Sequence, residues 1–556
     1  MAKDEQRDRA AGRTWGDLAR LLLLVGLEKH LLGILLSFAL AIGLFSLIVP
    51  LTVQELTNTF AYAIEPIMIV TLAMVTFVGL VCIGLLRVFQ TSVMETLFQR
   101  IYVRVALAMT RHLPRIRQEV FTPNQAQRFV EAELLSRAII VVLVDVVNVV
   151  VSGMTGMTIL VVYNPNFLIF NIVLLGGYAF MVAVTGQGGV RITKIVSQRN
   201  YELMDWIQDV ANNRLHFKAS QSAPYLMRKT DRLLAAYLDA RRARSNILTW
   251  RQYRGIVVWE AVCHAGMIGL GGWMLSSGQI TLGQFVAAEV IVGTLLLNID
   301  TVTRRIYAVT YLLTSLDELD RVFTLPTHRA EGGGVPVPEP ACEGVRLTCK
   351  HVAFAYPNAP PLFERFSMEV MPGEKVAVVS PTSTGKTTLA MVLGGLYRPT
   401  DGVVRYNDVD LRDVSMDWIN GCRGMVLDSQ LSLFGGTLEE NISLGRPAVR
   451  FDDLRWATRF VELDEEIDRM SRGLETVVEA GGSRFTKSQI LRILVARAIV
   501  VRPQLLIFDG SLHNMEPDLR QVLLRRICSK EEPWTVIFVS NDRAIGAQVD
   551  RRIDLA

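Results

Sequence analysis

Residues 375–388 read Lys375-Val376-Ala377-Val378-Val379-Ser380-Pro381-Thr382-Ser383-Thr384-Gly385-Lys386-Thr387-Thr388. Four small apolar residues in a row fit a short buried strand, and the Ser, Pro and Thr run after it cannot continue that strand. Gly385 then opens a helix that begins with Lys386, Thr387 and Thr388. A strand, a tight loop and a helix start in this order make a cradle for phosphate. Backbone amides and the positive end of the helix face the oxygens, a lysine reaches the outer phosphates, and the next hydroxyl binds Mg2+. Ser380, Ser383, Thr384, Gly385, Lys386, Thr387 and Thr388 are therefore the candidate phosphate contacts.

Outward from this loop the chain changes character twice. Downstream, the short aliphatic runs Gly424–Leu427, Leu505–Phe508 and Thr535–Val539 alternate with helical stretches, which predicts an α/β domain over 345–556. Upstream, Pro326, Gly332, Gly333, Gly334, Pro336, Pro338 and Pro340 interrupt regular structure and mark a linker over 323–344. Before the linker the chain is largely apolar. Half of the 556 residues are hydrophobic, and the mean hydropathy is +0.31, which points to a membrane part.

Six stretches account for it: Leu31–Val53, Ile67–Leu86, Ala138–Val162, Phe167–Thr185, Gly255–Leu275 and Leu282–Ile299. Their lengths suit a hydrocarbon core of about 30 Å. The connections at 54–65, 163–166 and 276–281 hold no Lys or Arg, whereas those at 87–137 and 186–254 are rich in both. The positive-inside rule then places the N-terminus, both long connections and everything after the sixth span in the cytoplasm. Residues 1–29 read as a cytoplasmic N-terminus with an elbow helix over Leu18–Leu27, and 30–322 as an all-α six-helix transmembrane domain. The long connections are expected to extend the helices as rods, with tips at Pro123–Phe129 and Trp206–Phe217. Asp145, Glu260, Glu289 and His264 fall inside spans, so they should face the bundle interior or a wet cavity. They serve either a substrate path or interhelical hydrogen bonds.

Charge and cysteine content exclude other classes. A net charge of +4, from 58 basic and 54 acidic residues, gives no reason for a nucleic-acid partner. Six scattered cysteines without a CxxC pair fit neither a disulfide framework nor a metal cluster.

Further residues fall around the phosphate loop in a definite order. Tyr356 lies upstream in Phe354-Ala355-Tyr356-Pro357. Leu433-Phe434-Gly435-Gly436-Thr437 precedes Glu440-Asn441-Ile442, and Gly473-Leu474-Glu475-Thr476-Val477-Val478 precedes Gly481-Gly482-Ser483. Ala496-Arg497-Ala498 and then Leu505-Leu506-Ile507-Phe508-Asp509 complete the series. In this order and spacing the C-terminal part resembles the P-loop nucleotide-binding domain of ABC transporters, and the membrane part resembles the six-helix ABC exporter core, together from about Leu18 to Ala556. The resemblance implies ATP and Mg2+ as ligands. Tyr356 would stack on adenine, and Thr387 and Asp509 would serve the metal, Asp509 through water. It also implies a homodimer or a heterodimer with another half-transporter, in which each ATP lies between one chain's phosphate loop and the other chain's signature segment.

The sequence also departs from that pattern. Ser380 and Ser383 stand where relatives carry glycine. The signature, usually Leu-Ser-Gly-Gly-Gln, is Phe485-Thr486-Lys487-Ser488-Gln489. Gly510 stands where the general-base Glu should come after Asp509, and Asn541 stands in place of the switch histidine. The segment usually reading Ser-Ala-Leu-Asp is His513-Asn514-Met515-Glu516. At the Q-loop, Gln430 lies one residue nearer Phe434 than in the family, with Asp428 and Ser429 in the neighbouring places. The chain stops at Ala556, so the closing strand and C-terminal helices are expected to be largely missing. Binding groups persist while hydrolytic groups are altered, so hydrolysis should fall by roughly 10²- to 10⁴-fold for want of a base, and no catalytic residue is assigned.

These features together imply an exporter subunit in the cytoplasmic (inner or plasma) membrane, binding ATP and leaving most hydrolysis to a partner. The alternative is an inactive scaffold or ATP-gated regulator of an envelope or secretion complex, and a conventional homodimeric pump comes third. The N-terminal segment reads as too short for the peptidase domain of some peptide exporters, and no residue pattern names the cargo.

Overall fold

A computed structural model describes residues 28–62, 66–117, 128–220, 222–328, 344–356, 359–379, 385–428, 431–540 and 543–555. The expected elbow helix, most of the linker and most of the first tip lie outside these residues. The chain forms two units, Met1–Leu113 with Thr122–Thr324, and Pro114–Phe121 with Leu325–Ala556.

In the first unit, six helical stretches among the described residues are long and apolar enough to cross a membrane. The first is broken into α1 (Lys29–Phe45) and α2 (Ile48–Tyr62). Pro50 explains the break: it has no N–H for the carbonyl of Ser46, and its ring crowds that carbonyl. The Ser46 and Leu47 amides turn back to Ile42 and Leu44. Next come α3 (Pro66–His112), α4 (Val130–Tyr163) and α5 (Phe167–Thr185), then α6 (Gly189–Asn212), α7 (Arg214–Lys218) and α8 (Ala223–Ser245). A π-helical stretch, Asn246–Tyr253, leads into α9 (Arg254–Ser276), and α10 (Leu282–Phe323) closes the unit. The 47 residues of α3 make a rod of about 70 Å at the helical rise, more than twice the bilayer core.

Leu160, Leu174, Ile256, Met267, Ala288 and Val292 form the buried centre of this unit. By contrast, Ile67, Val70, Met74, Phe77 and Val78 on α3 are exposed, as a helix facing lipid or a partner helix requires. On the water side, Glu131 of α4 is buried and accepts hydrogen bonds from Tyr201 of α6 and Ser315 of α10. Burial and the neighbouring Glu131 push the Tyr201 phenol far above its ordinary range. Glu318 holds Arg321 at 2.7 Å and Arg128 at 3.3 Å.

The second tip differs from the expectation. Trp206 lies inside α6 and is buried, with the Lys229 ammonium 3.8 Å from its ring centre and its indole N–H on Thr230 Oγ1 at 2.9 Å. Cation–π and hydrogen-bond contacts of this kind pin α6 to α8. The turn itself is α7, where Leu215 is exposed.

The second unit is built on two sheets. β1 (Leu347–Ala355), β2 (Pro361–Val370), β4 (Asp401–Tyr406) and β5 (Val409–Asp410) form an antiparallel sheet in the order β2-β1-β4-β5. Two short strands, β7 (Gly436–Thr437) and β8 (Val477–Val478), pair separately. β3 (Lys375–Val379), β6 (Arg423–Leu427), β9 (Leu505–Asp509), β10 (Thr535–Val539) and β11 (Arg551–Asp554) form a parallel sheet ordered β11-β3-β10-β9-β6. Side chains alternate across it: Val376, Ile507 and Ile537 join one core, while Leu506, Phe508 and Phe538 join the other. Both faces are covered, as a parallel sheet needs.

β11 corrects the expectation of a missing closing strand. It pairs along β3, and the adjacent Asp550 carboxylate accepts from the Lys375 amide at 2.9 Å. Residues from the first long connection also belong to this unit: Ile116 is buried and bridges Thr327.

Candidate functional site

The ends of four parallel strands converge on one edge. Leu427 lies opposite Asp509 across β6 and β9, and Val539 lies opposite Asp509 across β9 and β10. β3 ends at Val379, and the helix Lys386–Leu393 begins after the loop. Loop residues Ser380, Ser383 and Thr384 lie outside the described residues, as do Ser429, Gln430 and Asn541. Gly385 caps the helix with φ 79°, a left-handed conformation that glycine takes without a Cβ penalty.

Asp509 is 3% exposed. The Thr387 hydroxyl bonds its carboxylate, yet Oδ2 is buried with no hydrogen-bond partner among the described residues. Burial raises the carboxyl pKa. The Thr387 bond opposes that shift, Asp428's negative charge adds to it, and Lys386 opposes it, leaving the group above its ordinary value. A buried oxygen without a donor, beside a hydroxyl and a second carboxylate, is costly in isolation and is the oxygen set that a hard cation takes. Thr387 and Asp509 thus fit magnesium.

Tyr356 comes directly after β1. Its hydroxyl is 3.1 Å from Thr388 Oγ1, and its ring stands edge-on to Phe354 and Tyr397 at 5.1 and 6.0 Å. The helix after the phosphate loop and the aromatic core therefore fix the ring.

The residue after Asp509 is different. Gly510 sits at φ 59° with its amide on the Val539 carbonyl at 3.2 Å, and a Cβ there would meet nothing within 4 Å. A side chain at position 510 would start in open space. Asp428, just after β6, accepts a 2.9 Å hydrogen bond from the Asn514 side chain, a contact the sequence gives no sign of.

In the segment Phe485–Gln489, Thr486 caps the helix Lys487–Ile499, its hydroxyl accepting from the Gln489 backbone amide while Gln489 Oε1 accepts from the Thr486 backbone amide. Gln489 Nε2 also donates to Glu466 at 2.7 Å. The Gln489 side chain is thus engaged within the chain. Arg492 holds the same Glu466 at 2.7 Å. Burial pushes Glu466 up, but the bonds from Gln489 and Arg492 outweigh it and hold the carboxyl below its usual range. Phe485 is partly buried against the core, Lys487 is exposed, and Ser488 Oγ is buried without a hydrogen-bond partner among the described residues.

Two motif segments knit the domain together. Asn441 is fully buried, bonds the Phe434 and Thr437 carbonyls, and receives Arg497 on both its side-chain and main-chain oxygens. Burial, with Arg446 nearby, lowers the Arg497 pKa to about 10.

In the membrane unit, His264 of α9 meets Glu289 of α10 at 2.7 Å. This interhelical pair joins positions 25 residues apart, two of the four ionisable residues that the sequence places inside spans.

Comparison with known proteins agrees with this geometry. Residues 363–512 match the family described as ABC transporter. The solved structure of a bacterial Atm1-family ABC exporter with ATP bound superposes with a TM-score of 0.83 over 95% of this chain and 93% of that one, at 18% identity. The chain has an ABC exporter fold, with six apolar helices followed by a P-loop ABC domain. Among curated proteins, it is 24% identical to the leukotoxin translocation ATP-binding protein LktB of Mannheimia glucosida over 337 residues, which are 60% of this chain and 47% of that protein. The same figures hold for the LktB of Bibersteinia trehalosi. The match thus spans about half the length of these curated relatives.

Proposed function

We propose that the protein is a subunit of an ABC exporter that binds ATP with Mg2+ but hydrolyses it poorly, coupling nucleotide-driven dimerisation to transport. The observation that carries this reading is the contrast between Asp509 and Gly510. Asp509 keeps a buried oxygen and the Thr387 bond, while the next residue has no side chain. Lys386 and the helix start hold the outer phosphates, Thr387 and Asp509 hold the metal, and Tyr356 presents a fixed ring to the base. Magnesium, when bound, neutralises charge on the phosphates. Gly510 cannot accept a proton from water, so what this site contributes is binding.

The partner is either a second copy or another half-transporter. In a homodimer both sites would lack the base at 510. With an intact partner, one composite site would lack that base and the other would borrow the altered Phe485–Gln489 segment. The six apolar stretches support a multi-pass chain in the cytoplasmic membrane, with the nucleotide unit in the cytoplasm. The engaged Gln489 side chain favours a second reading, a scaffold or ATP-gated regulator of an envelope or secretion complex, since a segment bonded within its own chain is less free to clasp a partner's phosphate.

Nucleotide occupancy and phosphate release of the purified protein, alongside Lys386→Ala, test the proposal. Occupancy that depends on Lys386, with phosphate release no higher than that of Lys386→Ala, is the expected result. Release well above that control overturns impaired hydrolysis.

A further inference from the structure

We propose that the junction of α5, α6 and α9 is a headgroup site for an anionic phospholipid, centred on Trp250, Arg254 and Arg191. This inference rests on the reading of the chain as a multi-pass membrane protein with these helix ends in the cytoplasm. The apolar span of α5 stops at Thr185, and α6 begins at Gly189. Between them Gly188 turns the chain at φ 85°, a left-handed conformation open to glycine. The turn lays α6 against the π-helical stretch Asn246–Tyr253: a Cβ at Gly188 would lie 3.7 Å from Ile247, and one at Gly189 3.4 Å from Leu248. From the same stretch, Arg251 Nε donates to the Thr185 carbonyl at 2.7 Å, and a second guanidinium nitrogen donates to the Gln187 carbonyl. The start of α9 is thereby tied to the end of α5.

Charge at this junction has one sign. Three basic residues fall in 186–201 and five in 240–259, with no Asp or Glu in either segment. Lys194 and Arg199 face the carboxylates of Asp317 and Glu202, whereas Arg191 and Arg254 are exposed. Arg254 comes directly before the apolar run of α9, with its guanidinium carbon 5.9 Å from the centre of the Trp250 ring, and that side chain is 60% exposed. One turn further along α9, Val257 and Val258 are exposed as well. An amphipathic ring, a cation and an apolar strip thus follow one another along the helix, in the order in which a membrane presents headgroups and then acyl chains. Basic clusters immediately cytoplasmic of a span attract anionic lipids. The occupant is therefore a phospholipid of net negative charge, because a zwitterionic headgroup would bring its own cation to the same arginines.

The competing reading is that these arginines only set topology, in which case any cytoplasmic cation would serve as well. The experiment uses the full-length protein in mixed micelles holding equal amounts of phosphatidylglycerol and phosphatidylcholine, with retained lipid counted by native mass spectrometry. Wild type should retain phosphatidylglycerol in preference. Arg254→Gln should lower that preference roughly 5-fold, and Arg254→Lys should keep most of it. Arg191→Gln, on a different helix, should lower it to a similar extent and keeps the test open if Arg254→Gln fails to fold. Arg232→Gln, about 20 Å back along α8, should leave it unchanged. No preference in wild type, no loss in Arg191→Gln, or an equal loss in Arg232→Gln overturns the inference. Excess glycerol phosphate in the buffer should not displace the lipid, and displacement would assign the site to a soluble anion and overturn the inference too. Wild-type protein released from membranes by alkaline carbonate without detergent overturns the membrane reading and this inference together. Protein that needs detergent for release yet shows no lipid preference overturns this inference alone.

Discussion

Two parts of one domain have fared differently. Where β3 and β9 end, the groups that the proposed function assigns to phosphate and metal are in place: a left-handed Gly385, Lys386 at the helix start, and Thr387 bonded to a buried Asp509. One residue further on, and again at the start of the helix Lys487–Ile499, the positions to which the resemblance gives water activation and contact with a partner's phosphate carry no side chain or one engaged elsewhere. Gly510 has no side chain, and Gln489 is bonded to Thr486 and Glu466. The phosphate side is built from backbone geometry and buried polar pairs, which destabilise the fold when broken. The other side includes an open position at Gly510 and an exposed Lys487, where a side chain can change at little cost to the fold.

The largest expected effect comes from the phosphate side. Lys386→Ala removes a charged contact worth about 1.5–3 kcal/mol, so ATP affinity should fall by roughly 10- to 100-fold. Isothermal titration checks this, and unchanged affinity would mean that the loop no longer holds phosphate.

Gly510→Glu sharpens the comparison from the other side. Its Cβ has room, but φ 59° costs a non-glycine residue roughly 1–2 kcal/mol. The variant should release phosphate up to roughly 10²-fold faster and melt at a slightly lower temperature. A gain in rate without loss of melting temperature would show that the turn relaxes on substitution.

Glu466 gives a pH signature for the altered signature segment. Its folded pKa lies below the ordinary value of 4.5, so its stabilising contribution is complete above that value and is lost as pH falls through the lower, folded pKa. Acid unfolding of wild type and Glu466→Gln should therefore differ most above the ordinary glutamate pKa and converge in stronger acid. Curves that stay equally far apart at low pH would assign the effect to packing.

The smallest effect is expected from Ser488→Gly. It places a glycine where the family signature has one, at a cost of roughly 0.5–1 kcal/mol in the helix, and should leave ATP affinity within about twofold, since in the proposed dimer the segment would face a partner's nucleotide. A large change in affinity would break the division between the two sides.

Much of this was legible in the sequence because it depends on local pattern. β3 and β10 occupy the predicted residues, as does the span Phe167–Thr185. Apolar runs fix such elements by burial alone. The break before Pro50 was present in the sequence, but continuous hydropathy masked it. β11 was missed because Arg551-Arg552-Ile553-Asp554 carries charge at three of four positions, as an edge strand tolerates. Trp206 was placed at a tip because an aromatic in a polar helix can face either way, and only its contacts with Lys229 and Thr230 show it turned inward. The bond between Asp428 and Asn514 joins residues 86 apart. No spacing rule reaches across that separation, so the contact emerges only from the fold.

The most direct test of binding without hydrolysis is to measure bound nucleotide and phosphate release on the same sample of purified wild-type protein, without any partner. The account predicts substantial Mg2+-dependent ATP occupancy with phosphate release no higher than that of Lys386→Ala. Brisk release by the unaided wild-type protein, lost in Lys386→Ala, would contradict it.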